Sequence, residues 1–400
     1  MNITLCTDIF IPHMGGIETA MNALANEYVQ KGHNVAVFTS DMSLKNINDS
    51  LLPYKVYRTH SYRVLPGVHT PLPNRDKCFN KKLYEFSPDV IHSHTPFAIG
   101  WWGIVKAKEL HIPSVLTTHT YLNYMNDLQV PFSKKNPIHK AIVKQLSLQP
   151  KKASANCSIL TAVSKSVVDA EIRKVYKLSR NVEIVRNGYT VNTEQNCTSN
   201  ASYHMDNKIT LAYAGQIDKT KNIAFSLWVC AELKKRSIPF EFNLAGAVNS
   251  KFTLPFVKND MDRYIKLSKE LGIESSVHFL GRLDKQELGL HYGKSDIFLF
   301  PSIYDCDSIA CIESRHYGCP TLCIKNTGTS ERVIDEQNGW ALDDDIDAFA
   351  EKISQLYGLK TESLPSFIKM REMVQACHIP SWSEIADKYI NLYSQLISKV

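Results

Sequence analysis

Short apolar runs, many of them β-branched, alternate along the chain with segments whose apolar positions recur at helical spacing. In the first half, Ile3–Phe10, Asn34–Ser40, Val56–Ser61, Val90–His94, Ser114–His119, Ile159–Val163 and Val182–Val185 predict strands. Several are apolar almost throughout, as strands covered on both faces should be. Between them, Gly16–Lys31, Gly100–Leu110, Pro137–Ser154 and Lys165–Tyr176 predict helices. The pattern stops in a polar, aperiodic stretch around Thr193–Ser202, which predicts a linker. It resumes with a strand at Lys208–Ala214, a helix at Asn222–Arg236 and strands at Phe240–Ala245, Val277–Leu280, Asp296–Phe300 and Thr321–Ile324.

Alternating strand and helix imply parallel sheets covered by helices. The expected fold class is therefore α/β, with two Rossmann-like doubly wound domains. Residues 1–190 form the first, 191–207 the linker and 208–380 the second. A final amphipathic helix occupies residues 381–400, with Ile385, Tyr389, Leu392, Tyr393 and Leu396 on one face, which must dock on a core.

Composition narrows the class. Of 400 residues 44% are hydrophobic and 22% charged, the balance of a folded protein. No run approaches the ~18 uninterrupted apolar residues that span a bilayer. The start lacks a basic segment followed by an apolar one, so no signal peptide is expected and the setting is read as cytoplasmic. The ten cysteines are scattered, none in a C-x-x-C pair, and Cys6, Cys157, Cys230 and Cys323 lie in apolar runs. Reduced thiols behaving as small hydrophobes are expected, and no metal site.

The net charge is only +6, but it is unevenly spread. Leu128–Val168 contains no acidic residue and seven lysines: Lys134, Lys135, Lys140, Lys144, Lys151, Lys152 and Lys165. A second basic run interleaved with aromatics covers Lys55, Tyr57, Arg58, Tyr62, Arg63, Arg75, Lys77, Phe79, Lys81 and Lys82. Such stretches serve either as solvated surface or as a face for anionic lipid or an anionic acceptor. No nucleic-acid-binding module is recognisable.

Three loops carry candidate chemistry. Gly15 and Gly16 open a helix after the first strand, as a plain tight turn or as a place where amides meet an anion. In Gly215-Gln216-Ile217-Asp218-Lys219-Thr220-Lys221-Asn222, a strand ends in glycine and lysines precede a helix, a pattern suited to phosphate oxygens. In Pro301-Ser302-Ile303-Tyr304-Asp305, a strand runs into a carboxylate, and Glu313 follows in a helix expected to start near Ser308. Carboxylates accept several charge-assisted bonds from sugar hydroxyls. Asp305-Cys306-Asp307 also spells D-x-D, a metal-chelating pattern, but its place late in a second α/β half argues against that role. His119 closes a buried strand, as a core residue or as a functional one, and His92 and His94 share one side of theirs.

Taken in order, Gly15-Gly16 with Glu18, His119, Arg186-Asn187-Gly188, Gly215 with Lys221-Asn222, Gly281-Arg282-Leu283, and Pro301-Ser302 with Asp305 and Glu313 resemble the family 4 retaining glycosyltransferases. The resemblance covers nearly the whole chain. It implies a GT-B fold, two domains facing across a cleft, with the C-terminal helix packed on the first domain. It implies a hexosyltransferase using a nucleotide-sugar co-substrate, UDP before GDP, with no metal and no other cofactor.

By the same resemblance, the catalytic residues are His119, Lys221 and Asp305. Donor binding falls to Gly15, Gly16, Gly215, Gln216, Lys221, Arg282, Glu313 and the amides around Ser308, Ile309 and Ala310. The expected acceptor is a membrane lipid or a lipid-linked saccharide, reached by peripheral contact with an anionic membrane on its inner face; nucleic acid is not expected as a partner. Two positions depart from the family pattern. Gln216 replaces a usual arginine, and Asp305 replaces a usual glutamate. They keep open a non-catalytic family member that partners another transferase.

Overall fold

The computed structural model describes residues 1–13, 15–42, 44, 47–65, 68–121, 148–190, 207–247 and 260–399. The chain divides into two compact units. The first holds Met1–Thr190 with the C-terminal segment from Pro380, and the second holds most of the residues between.

The first unit is built on β1 (Asn2–Cys6), β2 (Asn34–Ser40), β3 (Lys55–Thr59), β4 (Ser61–Leu65), β5 (Val68–Pro71), β6 (Val90–Ser93), β7 (Ser114–Thr118), β8 (Ile159–Ala162) and β9 (Val182–Ile184). Seven of these form one parallel sheet in the order β3-β2-β1-β6-β7-β8-β9, while β4 and β5 pair as a separate antiparallel hairpin. The register sets Leu5 beside Val37 and His92. Helices α1 (Gly16–Gln30), α2 (Lys77–Phe86) and α3 (Ala98–Glu109) connect the strands. Against one face, Phe38, Phe79 and Trp102 pack with ring centroids 4.8 to 5.6 Å apart.

Differences from the expected bounds have local causes. The first strand stops at Cys6 instead of Phe10 because the chain turns where Asp8 accepts the Ile99 amide at 2.9 Å. Val56–Ser61 is not one strand: β3 ends at Thr59 and the hairpin begins at Ser61. Lys165–Tyr176 starts as one α turn and widens into a π-helix over Val168–Val175. Of the expected helix at Pro137–Ser154, residues 137–147 lie outside the described residues, and 148–156 are helical.

The C-terminal helix, Trp382–Ile397, belongs to this first unit. A capping box of Ser381 and Glu384 starts it, satisfying two backbone donors that a helix end leaves open. Trp382, Ile385, Ala386, Tyr389, Leu392 and Tyr393 are buried at helical spacing. Lys31 at the end of α1 pairs with Asp387 at 2.8 Å.

The second unit has one parallel sheet of β10 (Ile209–Ala214), β11 (Phe240–Ala245), β12 (Val277–Gly281), β13 (Ile297–Phe300), β14 (Thr321–Ile324) and β15 (Gly339–Leu342), in the order β12-β11-β10-β13-β14-β15. Helices α4 (Ile223–Lys235), α5 (Asp260–Glu270), α6 (Lys285–Gly293), α7 (Ile309–His316), α8 (Ile346–Glu362) and α9 (Leu364–Ala376) complete it. Lys360 of α8 reaches beneath the sheet to Asp296 at 2.8 Å and to the Lys208 carbonyl at 2.8 Å, so both charges are paired in the interior. In each sheet the strand order reverses once, between β1 and β6 and between β10 and β13. Open parallel sheets bind ligands beyond the carboxyl ends of their strands at such reversals.

Candidate active site

In the second unit, the loops after β10 and β13 leave the sheet at its reversal point and are tied together. The Thr220 carbonyl accepts from Ser302 Oγ at 3.1 Å and from the Ile303 amide at 3.3 Å. Asp218 caps the short turn Lys219–Lys221 by accepting the Thr220 amide at 2.8 Å. Asn222 then takes a left-handed conformation, φ 54°, and α4 begins at Ile223, one residue later than the sequence pattern implied. Asparagine tolerates that conformation better than most residues.

This turn brings Lys221 to Asp305. Their charged atoms are 2.7 Å apart, and the side chains are 20% and 9% exposed. The ammonium also lies 5.4 Å from the Phe300 ring centroid. Burial opposes its charge, but the Asp305 carboxylate outweighs burial and holds the Lys221 pKa above the ordinary lysine value. The other Asp305 oxygen accepts from Thr329 Oγ1 at 3.0 Å, and the Asp305 carbonyl accepts the Gly328 amide at 2.9 Å. A carboxylate offers about four acceptor positions, so two remain for a ligand.

Ser308 caps α7 through Oγ, which accepts the Cys311 amide at 3.3 Å. Its own amide donates to Thr329 Oγ1 at 3.1 Å. That amide is therefore committed within the chain, whereas the helix-start amides of Ile309 and Ala310 have no partner among the described residues. Glu313 sits farther along α7 and accepts from Tyr292 Oη at 3.3 Å. Burial raises its pKa, with the tyrosine bond and Lys285 pulling the other way.

Gly215 has φ 153°, and a Cβ there would meet Tyr213 Oη at 2.9 Å. That hydroxyl donates to the Gln216 carbonyl at 2.7 Å and so shapes the loop. Gly246, at the end of β11, is as constrained: its Cβ would lie 1.9 Å from the Gly215 carbonyl oxygen. Arg282 is exposed in the loop after β12. In the D-x-D segment, Asp307 is paired with Arg332, with one contact at 2.6 Å. Among the described residues no group of three His, Cys, Asp or Glu side chains could hold a metal ion.

In the first unit, Gly15 precedes α1 in extended backbone and Gly16 is its first residue. A Cβ on Gly15 would approach Glu18 Oε2 to 2.5 Å, whereas one on Gly16 would meet nothing within 4 Å. Glu18 is buried and bonds His13 Nδ1 at 2.6 Å. His119, at the end of β7, meets His94 Nδ1 through Nε2 at 3.0 Å, and burial pulls its pKa down to about 4.

Thr329, Tyr292 and Gly246 carry no signal in the sequence alone, because each acts through a loop or helix distant in the chain. The basic run also looks different in three dimensions. Arg58 turns inward onto Asp49 at 2.8 Å and contributes no free surface charge. Lys134, Lys135, Lys140 and Lys144 lie outside the described residues.

These sheets, with their strand ends and loops, define a GT-B glycosyltransferase fold. Sucrose-phosphate synthase from Thermosynechococcus elongatus shares it, with a TM-score of 0.77, 18% identity, and coverage of 100% of this chain and 99% of that one. Anabaena HepE, solved in complex with UDP and glucose, has a TM-score of 0.71 at 16% identity, covering 99% of this chain and 100% of that one. Residues 14–193 match Glycosyltransferase Family 4, and residues 198–372 match Glycosyl transferases group 1. Alpha-monoglucosyldiacylglycerol synthases are similar over most of their length. The Streptococcus pneumoniae enzyme is 24% identical over 85% of this chain and 74% of its own; the Acholeplasma laidlawii enzyme is 24% identical over 85% and 84%. The chain belongs to glycosyltransferase family 4 and is a glycosyltransferase.

Proposed function

We propose that this glycosyltransferase moves a hexose, with retention of configuration, from a UDP-sugar to a membrane lipid or lipid-linked saccharide in glycolipid or surface-polysaccharide synthesis. The observation that carries this reading is the pairing of Lys221 with Asp305, which Thr329 ties to the start of α7. A nucleotide sugar presents anionic phosphate next to neutral hydroxyls. The site offers a cation and helix-start amides for the first, and a carboxylate with spare acceptor positions for the second.

Departure of the nucleoside diphosphate builds charge on its terminal oxygens. Lys221 and the α7 amides neutralise that charge, so the reaction needs no metal ion. The diphosphate itself takes the acceptor's proton on the face it leaves, which retains configuration. Asp305 holds hydroxyls of the transferred sugar, and Glu313 accepts from the ribose. Gly215, Gln216 and Arg282 line the donor's path, and in the first unit His119 and the Gly15–Gly16 turn serve the same reaction.

A lipid acceptor is supported by the names of the glucosyldiacylglycerol synthases and by the exposed Lys77, Lys81 and Tyr84 of α2, with Arg75 exposed in the turn before it. Glu85 offsets part of that charge by pairing with Lys81 at 3.5 Å and with Lys82 at 2.8 Å. Among the described residues no helix is long and apolar enough to cross a membrane. Peripheral action on the cytoplasmic face is part of the same proposal.

Incubation with radiolabelled UDP-glucose, UDP-galactose and GDP-mannose, with anionic vesicles containing diacylglycerol, tests the reading. Label should pass to the lipid from a UDP-sugar, and vesicle binding should weaken with added salt. A protein that binds no nucleotide sugar in a thermal-shift screen would overturn it. Gln216 favours a second reading, a non-catalytic partner of another transferase, because a fixed cation is missing where charge develops. Donor binding by calorimetry with no transfer would select that one.

A further inference from the structure

The first unit contains three imidazoles, His92, His94 and His119, that touch one after another. Thr117 Oγ1 lies 2.6 Å from His92 Nε2, 2.6 Å from Thr161 Oγ1 and 3.0 Å from Tyr389 Oη. Tyr393 Oη lies 2.5 Å from His92 Nδ1 and 3.0 Å from Tyr28 Oη. Both His92 nitrogens are therefore taken up in this buried chain, and none is left for His94.

The His94 ring lies against His92, centroids 4.0 Å apart and planes tilted by 31°. His94 is 1% exposed. Its Nδ1 meets His119 Nε2 at 3.0 Å, while its Nε2 is buried with no partner among the described residues. Burial holds all three rings neutral, and the neighbouring imidazoles further oppose a charge on His94. Between two neutral rings, one nitrogen of the contact bears hydrogen and the other a lone pair. A buried N–H without an acceptor is rare and costly, whereas a buried lone pair without a donor is tolerated better. His94 therefore keeps its hydrogen on Nδ1 and gives it to His119 Nε2. The proton of His119 must then lie on Nδ1.

We propose that His94 is a positioning residue for the transfer reaction: it occupies the lone pair of His119 Nε2 and fixes His119 as a neutral hydrogen-bond donor through Nδ1–H. In this state His119 can donate to an oxygen of the sugar or phosphate but has no lone pair with which to take a proton from the acceptor. The catalytic half of this proposal rests on the reading of His119 as a residue of the reaction, and the tautomer itself does not.

Long-range proton–nitrogen NMR of the full chain labelled with 15N-histidine measures the tautomers directly, with His119 assigned by loss of its signals in His119→Gln. The expected result is hydrogen on Nδ1 of His119. Finding His119 protonated on Nε2 in the unaltered protein would overturn the assignment without any variant. In His94→Phe, which removes the donor and presents a ring face that accepts weakly from N–H, His119 should shift toward the Nε2–H form. Release of UDP from UDP-glucose on diacylglycerol vesicles should then slow by about fivefold, the scale of one misdirected hydrogen bond. His94→Asn, whose amide nitrogen can stand near the Nδ1 position, should restore both. Tyr393→Phe should disturb His92 and leave the His119 tautomer unchanged. A folded His94→Phe protein with an unmoved His119 tautomer would contradict the proposal. A shifted tautomer with unchanged turnover would overturn only the catalytic half and remove His119 from the reaction.

Discussion

The two units share a topology but arm their strand ends in opposite ways. Beyond β6 and β7 the first unit places His94 and His119, both neutral and joined by a single hydrogen bond. Beyond β10 and β13 the second unit places Lys221 against Asp305, and farther along the same loop Asp307 against Arg332. A sheet edge that presents fixed opposite charges suits a ligand carrying phosphate. One that presents neutral donors offers hydrogen bonds without adding a fixed charge. The fold supplies the position and the loops decide the chemistry.

The sharpest way to break the comparison is to remove the charge from one side. Lys221→Ala should lower kcat/KM for the nucleotide sugar about a hundredfold, the usual scale for losing one group that stabilises developing charge. It should leave Asp305 buried beside Thr329 without its cation. Steady-state kinetics with UDP-glucose checks this, and a change below threefold would mean that the charged pair is structural.

Thr329→Val comes next. It removes a donor to Asp305 and an acceptor for the Ser308 amide at once. Each lost partner costs about 1–3 kcal/mol when the group left behind is buried. A loss of about tenfold in kcat/KM is expected, carried mainly by KM for the donor. On the neutral side, Tyr393→Phe should destabilise the first unit by about 1–2 kcal/mol, because His92 Nδ1 then loses its buried hydrogen-bond partner. Urea unfolding would show this loss, while affinity for UDP should stay within twofold of the parent.

The smallest effect concerns Glu313. Burial raises its pKa, so its ionised form is held at a cost in the folded protein. That cost vanishes at pH values below the unfolded carboxyl's pKa and grows as pH rises through the folded one. Glu313→Gln should therefore raise Tm by about a degree at pH 8, less at low pH, while weakening the donor.

The strands were legible where apolar runs are self-contained. Asn34–Ser40, Phe240–Ala245 and Thr321–Ile324 have the bounds their patterns imply. β15 was not, because Gly339-Trp340-Ala341-Leu342 is only four residues long and its last two are half-buried. The hairpin of β4 and β5 was missed for a related reason: Ser61–Leu65 continues β3 in sequence without a turn signal.

Of the candidate site, the sequence pattern pointed to Lys221, Asp305 and Glu313 as separate positions. It could not show that Lys221 and Asp305 form a pair, since 84 residues separate them. Nor could it show that Ser308 spends its amide on Thr329, which needs two loops to meet. His94 and His119 read as strand-end histidines, and the hydrogen bond between them appears only once β6 and β7 are side by side.

Calorimetric titration of UDP into the unaltered protein and into Lys221→Ala tests most directly whether the charged strand ends of the second unit hold a diphosphate. Binding to the parent is expected, with a loss of at least about tenfold, 1.4 kcal/mol, in the folded variant. Equal affinity in the two proteins would contradict it.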